Sequence, residues 1–104
     1  MMQMNILAAE QEPISHYFSS KERPKGRDAF SEVGHRTEVT GSPILEGALA
    51  YFDCRLLERH DGGDHTIFIG EIVAAGYRED AEPLLWYASG YRRLAHFGHD
   101  ETLR

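Results

Sequence analysis

At 104 residues, the chain has the length of a single domain, and its net charge of −6 argues against a phosphate-binding nucleic-acid surface. No apolar run approaches the roughly 20 residues that span a bilayer as a helix, and no basic stretch leads into an apolar one as in a secretion signal. The lone Cys54 cannot close an internal disulfide, so a reducing cytoplasm is the expected compartment.

In chain order, residues 2–7 are short and apolar around Asn5, a strand or an irregular start. Residues 10–19 predict a short helix: Glu10 and Glu12 suit the positive end of the dipole, Pro13 is tolerated in a first turn, and Ile14, Tyr17 and Phe18 make one apolar stripe. Residues 20–28 alternate Lys21, Arg23, Lys25 and Arg27 with Pro24 and Gly26 and predict a loop; a helical turn is expected at 29–33 and a connection at 38–43.

Residues 48–59 predict a strand with Ala48, Ala50, Phe52, Cys54 and Leu56 on one face. Leu49, Tyr51 and Leu57 share the other with Asp53 and Arg55. Two partly apolar faces suggest a barrel wall that also packs against a helix or a second subunit. A Gly-Gly reversal at 60–64, in which Asp64 could accept a backbone N–H, predicts a hairpin into a second strand at 65–75. Gly70 in that strand marks a bulge or a close backbone approach. An acidic loop at 77–83, an extended segment at 83–87, a break at Ser89-Gly90 and a resumption at 91–94 follow. Residues 1–95 thus form the expected domain and 96–104 a polar tail.

Chemistry-bearing candidates are few. His65 at a strand end can donate or accept a hydrogen bond, or be merely a solvated hairpin residue. Trp86-Tyr87 followed by Ala88-Ser89 offers a stacking wall and a small-residue approach for a flat ligand, or a core strand with a turn behind it. His60, Asp61, Asp64 and His65 splay around a hairpin and His96 and His99 lie in the tail, so no metal site is expected. Cys54 reads as a buried small hydrophobe, no Gly-rich phosphate loop is present, and no nucleophilic triad is legible.

Taken together, the run from Gly41-Ser-Pro through the first strand, Gly63-Asp64-His65, Ser15-His-Tyr-Phe18 and the Leu-Leu-Trp-Tyr segment resemble the flavin reductase family, NAD(P)H-dependent partners of two-component monooxygenases. The resemblance implies a mainly β fold with short helices, an antiparallel FMN-binding split barrel. Because several family strands precede the point matched by Met1, and hold much of the flavin pocket, the barrel is expected to be incomplete here. The implied cofactors are FMN or FAD with NADH or NADPH as hydride donor, and the implied assembly is a homodimer serving a monooxygenase component.

By the same resemblance, Ser15 offers a hydroxyl to a flavin phosphate, and Phe18, Trp86 and Tyr87 offer apolar or stacking surface. His65 offers a hydrogen bond on the nicotinamide side. No protein nucleophile or acid–base group is implied, since the protein supplies stacking and orientation. Tyr17 stands where the family often has Arg, and Ala88 and Ser89 where it typically has Arg-Gly, so two cations are missing and weak flavin binding is expected. A non-catalytic dimerising or flavin-holding module is the alternative reading.

Overall fold

The computed structural model describes residues 2–95. The polar tail expected at 96–104, with its histidine pair, lies outside the described residues. The order is β1 (Met2–Ile6), a 3-10 turn (Ala9–Gln11), α1 (Glu12–Ser19), a second 3-10 turn (Gly26–Phe30), β2 (His35–Arg36), β3 (Ile44–Leu45), β4 (Ala50–Gly62), β5 (His65–Tyr77), β6 (Leu85–Tyr87) and β7 (Gly90–Arg92). β4 is the centre of an antiparallel sheet ordered β1-β4-β5, and β2-β3 and β6-β7 form two small ribbons. The mainly antiparallel architecture with one short α-helix agrees with the expectation, and the apolar start is a strand, paired from Met2–Cys54 to Ile6–Ala50.

The helix begins at Glu12 with Pro13 in its first turn, preceded by the 3-10 turn. Buried Gln11 fixes this entry. Its Oε1 accepts the Ala8 N–H at 2.8 Å, and its Nε2 donates to the Glu46 carbonyl at 2.9 Å. Arg78 ties the same turn to the end of β5, donating to Glu10 at 3.1 Å, Asp80 at 3.1 Å and the Gly47 carbonyl at 2.7 Å. The hydrogen bonds to Asp80 and Glu10 raise the Arg78 pKa, and those from Arg78 help lower both carboxylates; the largest cause for Glu10 is a backbone hydrogen bond.

Several expectations need correction. The helical turn expected at 29–33 comes earlier, at Gly26–Phe30, inside the stretch read as loop. β2 and β3 were not foreseen, because two residues each are too few to show alternation. The hairpin turn is confined to Gly63 and Asp64, since Gly62 already pairs with His65. Gly63 takes φ 78°, the positive value that a first turn residue of this kind requires. The turn acceptor is Asp61, which takes the Gly63 N–H at 3.1 Å, while Asp64 bonds the His65 ring.

The strict two-face reading of β4 also fails. Register shifts fall between Asp53 and Cys54 and between Leu56 and Glu58, leaving Val73 of β5 and Leu57 of β4 unpaired, and each bulge interrupts the alternation of its own strand. Asp53, expected on a polar face, is fully buried beside buried Cys54. Gly70 is the close approach anticipated: a Cβ there would lie 2.7 Å from Met2 Sδ and 3.2 Å from Cys54 Cβ.

The core gathers Ala8, Ala9, Ala29, Ile44, Leu45, Ala48 and Cys54 around the base of the long hairpin. Its outer half is bare, with Leu57, Ile67, Phe68, Ile69 and Ile72 exposed. The radius of gyration is 16.0 Å. A compact domain of this length has about 13 Å, so the hairpin projects from the body. The outer edges of β1 and β5 are unpaired among the described residues.

One packing contact gives a direct stability prediction. Gly76 faces Tyr51 across β4 and β5, and a Cβ there would sit 2.6 Å from the Tyr51 ring. That ring donates its hydroxyl to Glu38 at 2.9 Å and carries the Arg36 guanidinium 5.3 Å above it. Gly76→Ala is expected to push the ring away and destabilise the chain by about 1–3 kcal/mol, measured by urea denaturation.

Candidate functional site

The segment ahead of β6 runs beside the end of β1. Leu84 donates its N–H to the Leu7 carbonyl at 2.9 Å, Ala9 donates to the Glu82 carbonyl at 2.8 Å, and Ala8 bridges Pro83. These bonds set the β6–β7 hairpin against α1. Tyr87 pairs with Gly90, so Ala88 and Ser89 form a two-residue turn with φ 52° and 62°. Two consecutive left-handed residues define a type I′ turn, which normally selects Asn-Gly. Neither residue here is suited to it, and the Ser89 hydroxyl makes no hydrogen bond among the described residues. Ser89→Gly is expected to stabilise the chain by about 1 kcal/mol, read as a raised Tm in thermal denaturation.

The turn places Trp86 opposite Tyr91, their rings meeting edge to face at 5.0 Å. On its other side Tyr91 meets the His16 ring at 5.0 Å, and its hydroxyl lies 2.6 Å from Ser15 Oγ. Ser15, His16 and Ser19 from α1, with Trp86 and Tyr91, line a cleft of about 330 Å³. Trp86 is 65% exposed, so most of its ring is uncovered. The Ser19 hydroxyl donates to the Ser15 carbonyl at 2.8 Å. A smaller cleft beyond Tyr91, about 170 Å³, is lined by Arg92 and Arg93 together with Glu12.

Thus the structure brings Ser15 and Trp86 together, with exposed Tyr87 and the Ala88–Ser89 turn on the same hairpin. Tyr17 and Phe18 serve another contact. The Tyr17 hydroxyl donates to the Ala29 carbonyl at 2.6 Å, and the Phe18 ring packs on Tyr17 at 5.0 Å and on Phe30 at 5.3 Å. They brace α1 on the 3-10 turn. His65 stands apart at the hairpin tip, its side chain 81% exposed and its Nδ1 2.6 Å from Asp64 Oδ1. Twelve residues of β5 at about 3.3 Å each separate it from Tyr77 at the hairpin base, roughly 40 Å along the strand.

Sequence reasoning missed Tyr91, His16 and the two arginines. Tyr91 becomes legible only once Trp86 and Tyr91 are seen as a cross-strand pair, and Ala88-Ser89 gives no type I′ signal. Chemically, the cleft offers an uncovered indole face, three hydroxyls and an imidazole, with guanidinium groups next to it. That donor set fits a flat ring carrying a phosphate. Among the described residues no three His, Cys, Asp or Glu side chains converge as a metal site would require.

Comparison with known proteins shows the family. Residues 2–95 match the family model of the flavin reductase like domain. An NADH-dependent FAD reductase of Streptomyces globisporus is 36% identical over 93 residues, covering 88% of this chain and 51% of that protein. The HsaB reductase subunit of a flavin-dependent monooxygenase of Mycobacterium tuberculosis is 38% identical over 90 residues, covering 85% of this chain and 46% of its own. The solved NADH:FAD oxidoreductase of Streptomyces globisporus superposes with a TM-score of 0.83 at 33% identity, covering 91% of this chain and 57% of that one. The chain spans about half the length of the curated relatives it matches, and the fold is correspondingly incomplete beside them. On sequence and structure alike, the chain belongs to the flavin reductase like domain family.

Proposed function

We propose that the chain serves in the reduction of FMN or FAD by NADH or NADPH and passes reduced flavin to a partner monooxygenase, acting in the cytoplasm as a homodimer. The observation that carries this reading is the uncovered Trp86 ring above the Ser15–Tyr91 hydrogen bond. Bound there, a flavin supplies the hydride acceptor and the nicotinamide the donor. The chain's own groups orient and shield. Trp86 gives a stacking face, Ser15 and Tyr91 share a polar edge, and Tyr87, Ala88 and Ser89 border the mouth. Arg92 and Arg93 supply positive charge that Tyr17 and Ala88 do not. Tyr17 and Phe18 hold α1 in place behind the cleft.

In this reading His65 serves the cleft of a second copy. The exposed apolar residues of the outer hairpin support a dimer that covers them. Among the described residues no helix is long and apolar enough to cross a membrane, and the single cysteine is buried, both compatible with a cytoplasmic reductase. The test is flavin fluorescence quenching. Wild type is expected to bind FMN or FAD, and Trp86→Ala to weaken binding about tenfold, in line with the loss of one stacking contact. Equal binding by both would move the site elsewhere. The exposed apolar residues of the outer hairpin favour a second reading, a dimerising module without turnover, in which flavin binds but NADH is not consumed.

A further inference from the structure

Gln3 of β1 stands directly opposite Asp53 of β4. Residues opposed in this way send their side chains to the same face of the sheet. Met2 and Cys54, the next opposed pair, both lie against Gly70. Gln3 and Asp53 therefore share the other face. Asp53 is fully buried, and its two oxygens take the Val39 N–H at 2.9 Å, the Thr40 N–H at 3.1 Å and the Thr40 hydroxyl at 2.5 Å. Both polar atoms of the Gln3 carboxamide are buried too, and neither has a hydrogen-bond partner among the described residues. A buried carboxamide left unpaired is rare and costs stability, which a Leu or Met in its place would not.

The donors to Asp53 come from the segment 37–43, which joins β2 to β3 and is closed at its base by the Arg36–Ile44 pair. Thr37, Gly41, Ser42 and Pro43 line a cleft of about 530 Å³ together with Phe30 and His35. Little apolar packing holds the segment down. Val39 is 52% exposed, and a Cβ on Gly41 would meet nothing within 4 Å. Its fastenings are polar. The three bonds to Asp53 hold its middle, the exposed Tyr51–Glu38 bond one end and the Asn5 bond to the Pro43 carbonyl the other. Segments with few buried apolar contacts open locally, at less cost than global unfolding.

We propose that residues 37–43 are a strap that opens and closes over Asp53, and that Gln3 takes over the carboxylate when the strap lifts. Closed, Asp53 holds residues 39 and 40, and Gln3 Nε2 waits beside it without a partner. Open, a rotamer change of Gln3 brings Nε2 to the carboxylate, so the buried charge keeps a donor. Without Gln3, lifting the strap leaves that charge with none of its donors, a costly arrangement. The strap is thus a two-state element, and because it walls the cleft, its two states give the cleft two widths. The device stands on its own geometry and does not require the reductase activity.

The experiment is native-state amide hydrogen exchange by NMR on the whole chain, over urea concentrations well below the unfolding transition. In wild type the Val39 and Thr40 amides are expected to exchange by local opening, at rates that do not change with urea and exceed those of the β4–β5 ladder by at least about tenfold. Gln3→Leu and Gln3→Met keep the bulk and remove the donor. Both are expected to slow Val39 and Thr40 about tenfold, with no slowing of that size in the ladder, whose amides report global stability. A Gln3 with only a structural role would move the two sets together. The proposal is overturned if Val39 and Thr40 exchange only with global unfolding in wild type, or if the folded variants exchange them as fast, relative to the ladder, as wild type does.

Discussion

Mixing His65→Ala chains with Trp86→Ala chains is expected to restore turnover above the level that either variant shows alone. His65 sits at the tip of a projecting hairpin, and Trp86 lines a cleft against α1 at the body of the molecule. If His65 reaches the cleft of a second copy, each homodimer of a variant has two defective sites. A heterodimer of the two has one intact site and one with both defects. Random exchange in a two-fold dimer therefore recovers about a quarter of wild-type activity. Turnover of the mixture measured after proven subunit exchange is the readout. No recovery would place His65 and Trp86 in separate roles.

The second large effect is expected at Asp53. Its carboxylate is fully buried and satisfies three donors from residues 39 and 40. The hydrogen bond from the Thr40 hydroxyl is the largest cause of its lowered pKa, with the backbone N–H groups of Thr40 and Val39 acting in the same direction against burial. Asp53→Ala orphans all three donors and is expected to lower Tm by about 10 °C or more. Asp53→Asn keeps an acceptor but not the charge. Because the folded pKa lies below the unfolded value, the ionised group stabilises the fold above the unfolded pKa, and this contribution is lost as pH falls through the folded pKa. The stability difference between wild type and Asp53→Asn should be full near neutrality and shrink in acid below the ordinary carboxylate range. A difference that does not change with pH would mean the charge plays no part.

The parts of the fold that were legible in the sequence are those set by local chemistry over many residues. Alternating apolar runs around Gly62-Gly63 specify the long hairpin, and the Ile14, Tyr17, Phe18 stripe specifies α1. The bulges at Val73 and Leu57 were not legible, because they depend on the pairing of β4 with β5, and Asp53 is buried on what reads as a polar face because residues 39 and 40 fold over its carboxylate. The ribbon β2-β3 is too short for a period. Ser15 and Trp86 could be named from the resemblance, but their meeting depends on Tyr91, placed by a turn of Ala88 and Ser89 that defies the usual preference.

The most direct measurement of the central claim is the rate of NADH and NADPH oxidation by the purified chain with FMN and with FAD, beside Trp86→Ala and Ser15→Ala. The account predicts oxidation that requires added flavin and falls about tenfold or more in Trp86→Ala, since stacking orients the reacting rings. Flavin-dependent oxidation that is unchanged in both variants, or none at all from folded, dimeric wild type, would contradict it.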